Sequence, residues 1–267
     1  MSVNRIAFAL IAVAIITLIS SWWYSLPQPL FSTPYSSILL DQNDQLLEAR
    51  IASDEQWRFP PGEALPNSYV KALLLFEDKR FYNHSGVDWL ALGRATVQNI
   101  KAKKVVSGAS TISMQVIRLA RSSQEQVSEK RTLTTKLIES LQALRLEFSY
   151  NKQQILNLYA SHAPFGGNVV GISAASWRYF GRAPASLSWA ESALLAVLPN
   201  RPNYLRPGKN QLKLKQKRDR LLTRLQQAGE FDQLELDLAL SEPLPDKILA
   251  FPKRAPHLLE TLITKSA

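Results

Sequence analysis

The sequence contains no cysteine, which excludes both a disulfide framework and a thiolate metal site. Histidine is scarce too, and neither His84 nor His162 has a partner at metal-ligand spacing, so we predict no metal site. Acidic side chains are in the minority, since 22 Asp and Glu residues stand against 32 Lys and Arg residues, a net charge of +10. This imbalance predicts attraction to a polyanion: a nucleic acid, an anionic membrane surface or a pyrophosphate-bearing substrate.

Charge of either sign is missing from residues 6–24, an apolar run of 19 residues. As a helix this run is roughly 28 Å long, close to the hydrocarbon thickness of a bilayer. It ends in Trp-Trp-Tyr, which is typical of a membrane interface, and no Lys or Arg lies between Arg5 and Arg50. We therefore predict a single-pass anchor in the cytoplasmic (inner) membrane, with the N-terminus inside and the remaining chain on the outer or periplasmic face. That topology excludes a nucleic-acid partner. A cleaved signal peptide is the alternative, but no small-x-small cleavage site follows the run.

The rest of the chain is predicted to be mainly α, with a small β element in front. Alternating apolar residues on either side of residues 41–44 predict a β-hairpin. We divide the chain into a cytoplasmic tip and anchor (1–26), a stalk and hairpin (27–62), a helical domain (63–230) and a C-terminal extension (231–267). Apolar periodicity predicts helices at 67–82, 88–104, 110–121, 129–149, 152–160, 188–198 and 211–228. In the 129–149 helix, a stripe is predicted to be buried: Leu133, Leu137, Leu141, Leu144 and Phe148.

Four polar clusters have the composition of a reaction site. Glu77 follows an apolar run, which should desolvate its carboxylate, raise its pKa and suit it to acid–base catalysis, although a helix ending in solvated charges is also common. Hydroxyls after Gly108 could cradle an anion, but N-capping by Ser110 and Thr111 explains them equally well. Lys136 and Glu139 lie one turn apart, and an ordinary surface ion pair is the alternative for them. The fourth cluster, residues 163–167, is a tight turn whose glycines often serve backbone geometry alone.

The order of these clusters is more specific than any one of them. Glu-Asp-x-x-Phe-x-x-His-x-Gly, Gly-x-Ser-Thr-Ile-x-x-Gln, Lys-x-x-Glu, Phe-Gly-Gly-x-x-x-Gly-Ile-x-Ala-Ala and Leu-Ala-x-Leu-Pro-x-x-Pro follow one another along the chain. The series closely resembles the five motifs of family 51 glycosyltransferases, the peptidoglycan polymerases of class A penicillin-binding proteins. The resemblance covers about residues 66–207 and is strongest to the penicillin-binding protein 1C branch.

The resemblance implies a lysozyme-like helical domain that polymerises lipid II into β-1,4-linked glycan and releases undecaprenyl pyrophosphate. It implies that Glu77 is the general base for the acceptor's 4-hydroxyl. Glu139 would assist the leaving pyrophosphate directly, through a cation, or by ordering nearby bases. No cofactor is otherwise implied, and a divalent cation (Mg²⁺ or Mn²⁺) stays open. The implied substrate-binding residues are Asp78 and Phe81, which shape the cleft, and Ser110, Thr111, Gln115, Arg118, Arg131 and Lys136 on the donor's side.

The partners implied are lipid II, the nascent glycan strand, the cytoplasmic membrane and other cell-wall synthesis proteins. Residues 88–104 mix apolar and cationic side chains and are predicted to lie in the lipid headgroup layer, an ordinary amphipathic core helix being the alternative. Thr135, Ser161 and His162 depart from the family pattern and put donor affinity in question. No Lys-Thr-Gly motif follows, so no transpeptidase activity is expected. A catalytically weak lipid II-binding scaffold and a glycan-cutting lytic enzyme are the competing hypotheses.

Overall fold

Helices make up most of the part of the chain that the computed structural model describes, residues 3–62, 64–104, 108–125, 132–202 and 204–266. The helices are α1 Val3–Trp23, α2 Asn67–Glu77, α3 Trp89–Ala102, α4 Ile112–Glu125, α5 Leu133–Ser149, α6 Lys152–His162, α7 Ile172–Phe180, α8 Trp189–Val197, α9 Gln211–Gln227, α10 Gln233–Ser241 and α11 Pro256–Ser266. The strands are β1 Ser37–Leu40, β2 Leu46–Arg50, β3 Trp57–Arg58, β4 Pro164–Gly166 and β5 Val169–Val170. The mainly helical prediction is confirmed.

The chain divides into two compact units. The first comprises Met1–Ser32 and Tyr82–Ile155, and the second comprises Thr33–Phe81 and Leu156–Ala267. Within the described part of the chain, no helix is at once long enough and apolar enough to cross a membrane.

In the first unit, the end of α1 packs against α5. The Trp22 indole N–H donates to the carbonyl of Leu141 at 2.9 Å, and its ring meets the Phe148 ring edge-on at 5.8 Å. The Arg145 guanidinium lies 3.9 Å from the centre of the Trp23 ring and donates to the Trp23 carbonyl. These contacts fix the last turn of α1 on α5.

The predicted buried stripe of α5 is wrong. Leu137, Leu141 and Phe148 are 62%, 46% and 71% exposed, whereas Glu139 and Leu146 are buried. Helical periodicity identifies which residues share a face, but not which face the surrounding chain covers. The apolar face of α5 is therefore largely an outer surface of this unit.

The second unit contains both sheets. Strands β1 and β2 form the predicted antiparallel hairpin, with Ser37 opposite Arg50, and α11 packs against it. Strand β3 pairs in parallel with β5, and β4 pairs with β5 antiparallel. This second sheet joins segments more than 100 residues apart, which is why local sequence patterns did not predict it.

Helix α8 forms the core of the second unit, between α2 and α9. Its residues Ala190 to Val197 include seven buried side chains, and each fully buried Leu contributes about 2 kcal/mol through the hydrophobic effect. Ser188 and Glu191 form the capping box that begins it. Helix α2 packs against α8, with the Ser68 and Ser192 hydroxyls 2.7 Å apart, and Tyr69, Ala72 and Leu73 of α2 are fully buried.

Candidate active site

Glu77 is the last residue of α2. The chain leaves the helix at Asp78, which has φ −155° and ψ 75° and whose N–H donates to the Leu74 carbonyl. One carbonyl of the last turn, that of Leu75, accepts a 2.5 Å hydrogen bond from Arg224 of α9. A cation there also interacts favourably with the negative end of the helix dipole. The carboxylate of Glu77 is thus carried, half-buried, on a well-anchored helix end.

Two titratable neighbours feel the charge of Glu77. Burial raises the pKa of the Tyr69 phenol, and the negative charge of Glu77 raises it further, so Tyr69 stays protonated. Burial lowers the pKa of Lys217, and nearby Arg201 adds to that, while Glu77 acts in the opposite direction. The predicted base therefore has a neutral phenol and a cation in its surroundings.

Asp78 and Phe81 follow Glu77 and are both buried, at 6% and 1% exposure. The Phe81 N–H donates to the Asp78 carbonyl at 3.1 Å as the chain enters a 3₁₀ turn, Phe81–Asn83. Such burial fits the predicted role of shaping the surroundings of the base.

In the first unit, the Thr111 hydroxyl tethers the start of α4. It donates to the Gly86 carbonyl at 2.5 Å and accepts from the Met114 N–H at 3.2 Å. Gly86 has φ +94°, and a Cβ on it would lie 2.5 Å from the Ala143 carbonyl oxygen, so only glycine fits there. Thr111 is therefore an N-cap and a tether, whereas Ser110 beside it is partly exposed.

Glu139 lies on the inner side of α5, at 2% exposure. Its Oε1 is 3.7 Å from Nε of Arg118 on α4, and 39% of the Arg118 side chain is exposed. The alternative of a surface ion pair with Lys136 is wrong, because Glu139 is not on the surface. Burying a carboxylate costs several kcal/mol unless it is paired, so this position is unusual for a purely structural residue.

The first unit also contains a partly buried polar network, which sequence analysis missed. The Lys152 ammonium donates to Glu147 at 2.7 Å and to the His84 carbonyl at 2.6 Å, and the Ser113 hydroxyl donates to Glu147 at 2.6 Å. It joins three of the motif-bearing segments. The sequence did contain one signal for this network, because Lys152 follows Glu147 by five residues. That spacing is not typical of ion pairs within a helix, which occur at three or four residues.

The predicted residues are divided between the two units. Glu77, Asp78 and Phe81 belong to the second unit, and Ser110, Thr111, Gln115, Arg118, Lys136 and Glu139 to the first. Arg131 lies outside the described residues. Among the described residues, no group of three His, Asp or Glu side chains could hold a metal ion, and a guanidinium rather than a second carboxylate accompanies Glu139. These donors do not fit a cation cage.

Two of the departures from the family pattern, Thr135 and His162, form local contacts. Thr135 lies 2.8 Å from the Thr132 hydroxyl, which caps α5. His162 is buried at the end of α6, where Nδ1 lies 3.0 Å from the Leu158 carbonyl and Nε2 lies 3.5 Å from the Tyr35 hydroxyl. Burial lowers the pKa of His162 to about 4, and the cation of Arg58 also lowers it. His162 is therefore neutral at physiological pH.

A cavity of about 480 Å³ lies in the second unit, between the hairpin and helices α6 and α7. Its wall includes the apolar side chains of Phe59, Trp177 and Pro184, and Asn157 and Ser161 are among its polar groups. It contains none of the residues assigned from the motifs, so the predicted chemistry does not lie there.

The sequence is similar to those of known proteins. The transglycosylase family model matches residues 43–226. Penicillin-binding protein 1C of Escherichia coli is 34% identical over 241 residues, 90% of this chain and 30% of that protein. A candidate transglycosylase of Cupriavidus necator is 35% identical over 208 residues, 77% of this chain and 87% of that protein. A crystal structure of penicillin-binding protein 1A from Haemophilus influenzae aligns with a TM-score of 0.45 at 20% identity, over 88% of this chain and 24% of that one.

Two carboxylates assigned from the motifs, Glu77 in the second unit and Glu139 in the first, lie within the residues that the family model matches. The chain belongs to the transglycosylase family. It spans 30% of the length of its E. coli relative. The resemblance to family 51 glycosyltransferases is confirmed, and the alternative of a catalytically weak scaffold is not favoured.

Proposed function

We propose that this chain polymerises lipid II into β-1,4-linked glycan and releases undecaprenyl pyrophosphate. The observation that carries the proposal is the buried Glu139, held beside the partly exposed guanidinium of Arg118 within the region that matches the transglycosylase family. A desolvated carboxylate that orients a cation is suited to a reaction in which a diphosphate leaves.

Glu77 is assigned as the general base. Its carboxylate takes the proton from the acceptor's 4-hydroxyl as that oxygen bonds to the donor's anomeric carbon. The bond from this carbon to the phosphate oxygen breaks, and the diphosphate leaves with the electron pair, so the anomeric configuration inverts. Support comes from the half-buried position of Glu77 at the end of α2, since proton transfer needs access to the substrate.

Glu139 is assigned the role of ordering a base. Of the three options implied by the family, this one agrees with a 3.7 Å contact to Arg118, which places a fixed positive charge where it can stabilise developing negative charge. Ser110, Gln115 and Lys136, each partly exposed, are assigned to the donor's phosphates and sugars. Arg131 is assigned with them from its motif position.

The proposal includes attachment to the cytoplasmic membrane through residues 6–24, with the N-terminus inside, and a second contact along α3. Trp89, Leu90, Val97 and Ile100 on α3 are each more than half exposed. Cations lie on the same helix and just after it, at Arg94, Lys101, Lys103 and Lys104. Exposed apolar side chains flanked by cations are typical of interfacial helices.

The lack of cysteine allows a direct test of the α3 contact. The Ile100→Cys variant is labelled with an environment-sensitive fluorophore. The emission maximum of this label should shift to the blue when the full chain is reconstituted into anionic vesicles. Leu234→Cys on α10 is the matched exposed control and should not shift. Equal emission from both positions in vesicles would contradict the α3 contact.

The reaction itself is tested by incubating the detergent-solubilised chain with labelled lipid II and sizing the products. Strands longer than the starting disaccharide, with release of undecaprenyl pyrophosphate, are expected. Shortening of preformed glycan, without growth from lipid II, would instead establish the competing lytic activity. Binding of lipid II without any product, across detergents and with or without Mg²⁺ or Mn²⁺, would establish the scaffold.

A further inference from the structure

Helix α9 presents a row of four cations along one side. Lys213, Lys217, Arg220 and Arg224 are spaced by four, three and four residues, which places them on one helical face. We call these four residues the α9 stripe. Like charges at these spacings repel one another and destabilise an isolated helix. The α9 stripe therefore has a cost in stability that a bound anion would remove.

The α9 stripe lies against the end of α2. Arg224 donates to the Leu75 carbonyl, and the Lys217 ammonium lies 5.9 Å from the centre of the Phe76 ring. Phe76 directly precedes Glu77, the proposed base. The Lys217 ammonium also donates to Asn200 Oδ1 at 2.9 Å, which fixes its position. The stripe thus lies alongside the helix end that carries the base.

Protein carboxylates offset the charge of the α9 stripe only in part: the negative charge of Glu77 raises the pKa of Lys217, but it forms no ion pair with the stripe in the part of the chain that the structure describes. Asp219 is the acidic residue of α9, and it pairs with Lys215 and Arg218, which lie off the stripe. Within the described ranges, no stripe residue forms an ion pair. Arg201, which is exposed, lies near enough to Lys217 to lower its pKa, so a fifth cation converges on the same surface.

We propose that the α9 stripe binds the anionic groups of the acceptor substrate, either its diphosphate or the carboxylates of its peptide. This inference rests on the proposed function, because it requires the substrate that Glu77 deprotonates to lie beside α2. From Lys213 to Arg224 the stripe is about 16 Å long, which suits several anionic groups better than one. Positive potential of this extent also raises the rate at which an anionic substrate arrives.

The test is the Kd of labelled lipid II for the full detergent-solubilised chain, measured beside its polymerisation rate. The double variant Lys213→Gln/Arg220→Gln removes two exposed charges of the stripe. Its Kd should be about fivefold higher than the parent's, with a weaker dependence on salt. Lys215→Gln removes an equally exposed charge from another side of the same helix and should leave the Kd unchanged.

The outcomes separate the two proposals. The proposal that the α9 stripe binds the acceptor would be overturned if the double variant kept the parental Kd, or if its Kd changed no more than that of Lys215→Gln. If the double variant has a raised Kd but the parent chain makes no polymer, the result would support binding by the α9 stripe and contradict the proposed reaction. Lipid II with amidated peptide carboxylates identifies the source of the charge. If parent and double variant bind it equally, the stripe recognises the peptide, and if the fivefold difference persists, it recognises the diphosphate.

Discussion

Nε of Arg118 lies 3.7 Å from Oε1 of Glu139, with the carboxylate buried and the arginine side chain 39% exposed. The buried partner restricts where the guanidinium can point, while the guanidinium still reaches solvent. Fixed charge of this kind needs little reorganisation when negative charge develops on a substrate. We therefore assign a positioning role to Glu139, and we assign to Arg118 the direct contact with the substrate's developing negative charge.

Replacing Glu139 by glutamine should therefore lower the rate of polymerisation strongly and change the thermal stability little. Glu139→Gln keeps the side-chain volume but releases Arg118, and we expect polymerisation to fall about 100-fold. Initial rates with labelled lipid II measure this, with thermal unfolding as the check on folding. Glu260→Gln, which alters an exposed ion pair with Arg50, is the control and should retain the parental rate. A Glu139→Gln variant as active as this control would contradict the assignment.

Two glycines of the first unit should respond oppositely to alanine. Gly86→Ala combines φ +94° with a Cβ only 2.5 Å from the Ala143 carbonyl, and should cost about 3 kcal/mol in the free energy of unfolding. Gly93 on α3 has no atom within 4 Å of its Cβ position, so Gly93→Ala should stabilise the chain by about 0.5 kcal/mol through helix propensity. Chemical denaturation of both variants checks the signs, and a neutral Gly86→Ala would show that the backbone there can move.

The network around Glu147 should depend on Lys152. The Glu147 side chain is 9% exposed, so Lys152→Met leaves a largely buried carboxylate without its ammonium. We expect a loss of about 3 kcal/mol in the free energy of unfolding. The double variant Glu147→Gln/Lys152→Met removes both charges and should lose less than Lys152→Met alone. Equal losses from the two variants, measured by denaturant titration, would mean that the ion pair contributes little.

Buried His162 should make stability depend on pH. Its pKa falls from 6.5 to about 4 on folding, so between these values the unfolded chain binds more protons than the folded chain. The contribution of His162 to the free energy of unfolding is fully present above pH 6.5. It is lost as the pH falls toward 4, and the total loss is about 3 kcal/mol. Unfolding at several pH values should show a steeper acid loss in the parent than in His162→Asn. Identical pH profiles would mean that His162 is not neutral in the folded chain.

Local sequence patterns predicted most of the helices and the hairpin, because these elements depend on residues that are close together in the chain. The hairpin around residues 41–44 and the helix predicted at 188–198 are both present, and the other predicted helices lie near their expected bounds, except that the helix predicted at 67–82 already ends at Glu77. The same kind of signal was available for α10, where Asp232 and Glu235 form a second capping box, but that segment was assigned to an extension. Helices α7 and α11 were missed as well. Helix α7 begins at Ile172, shortly after the glycine turn at residues 163–167, and no helix was predicted there.

The sequence could not predict what depends on distant contacts. The periodicity of α5 was correct, yet Leu137 and Leu141 lie outward and Glu139 lies inward, because the chain packed against each face decides burial. The parallel pairing of Trp57 with Val169 depends on chain segments far apart in sequence. For the site, motif order predicted roles for Glu77 and Glu139, whereas the environment of each carboxylate required the structure.

The most direct test of the central claim is the rate of lipid II polymerisation by Glu77→Gln, measured beside the parent and the Glu260→Gln control. The amide cannot accept the acceptor's proton, so the rate should fall about 1000-fold or more while lipid II binding and thermal unfolding stay parental. Polymer formation by Glu77→Gln at the parental rate would contradict the account, because the proton would then pass to another group.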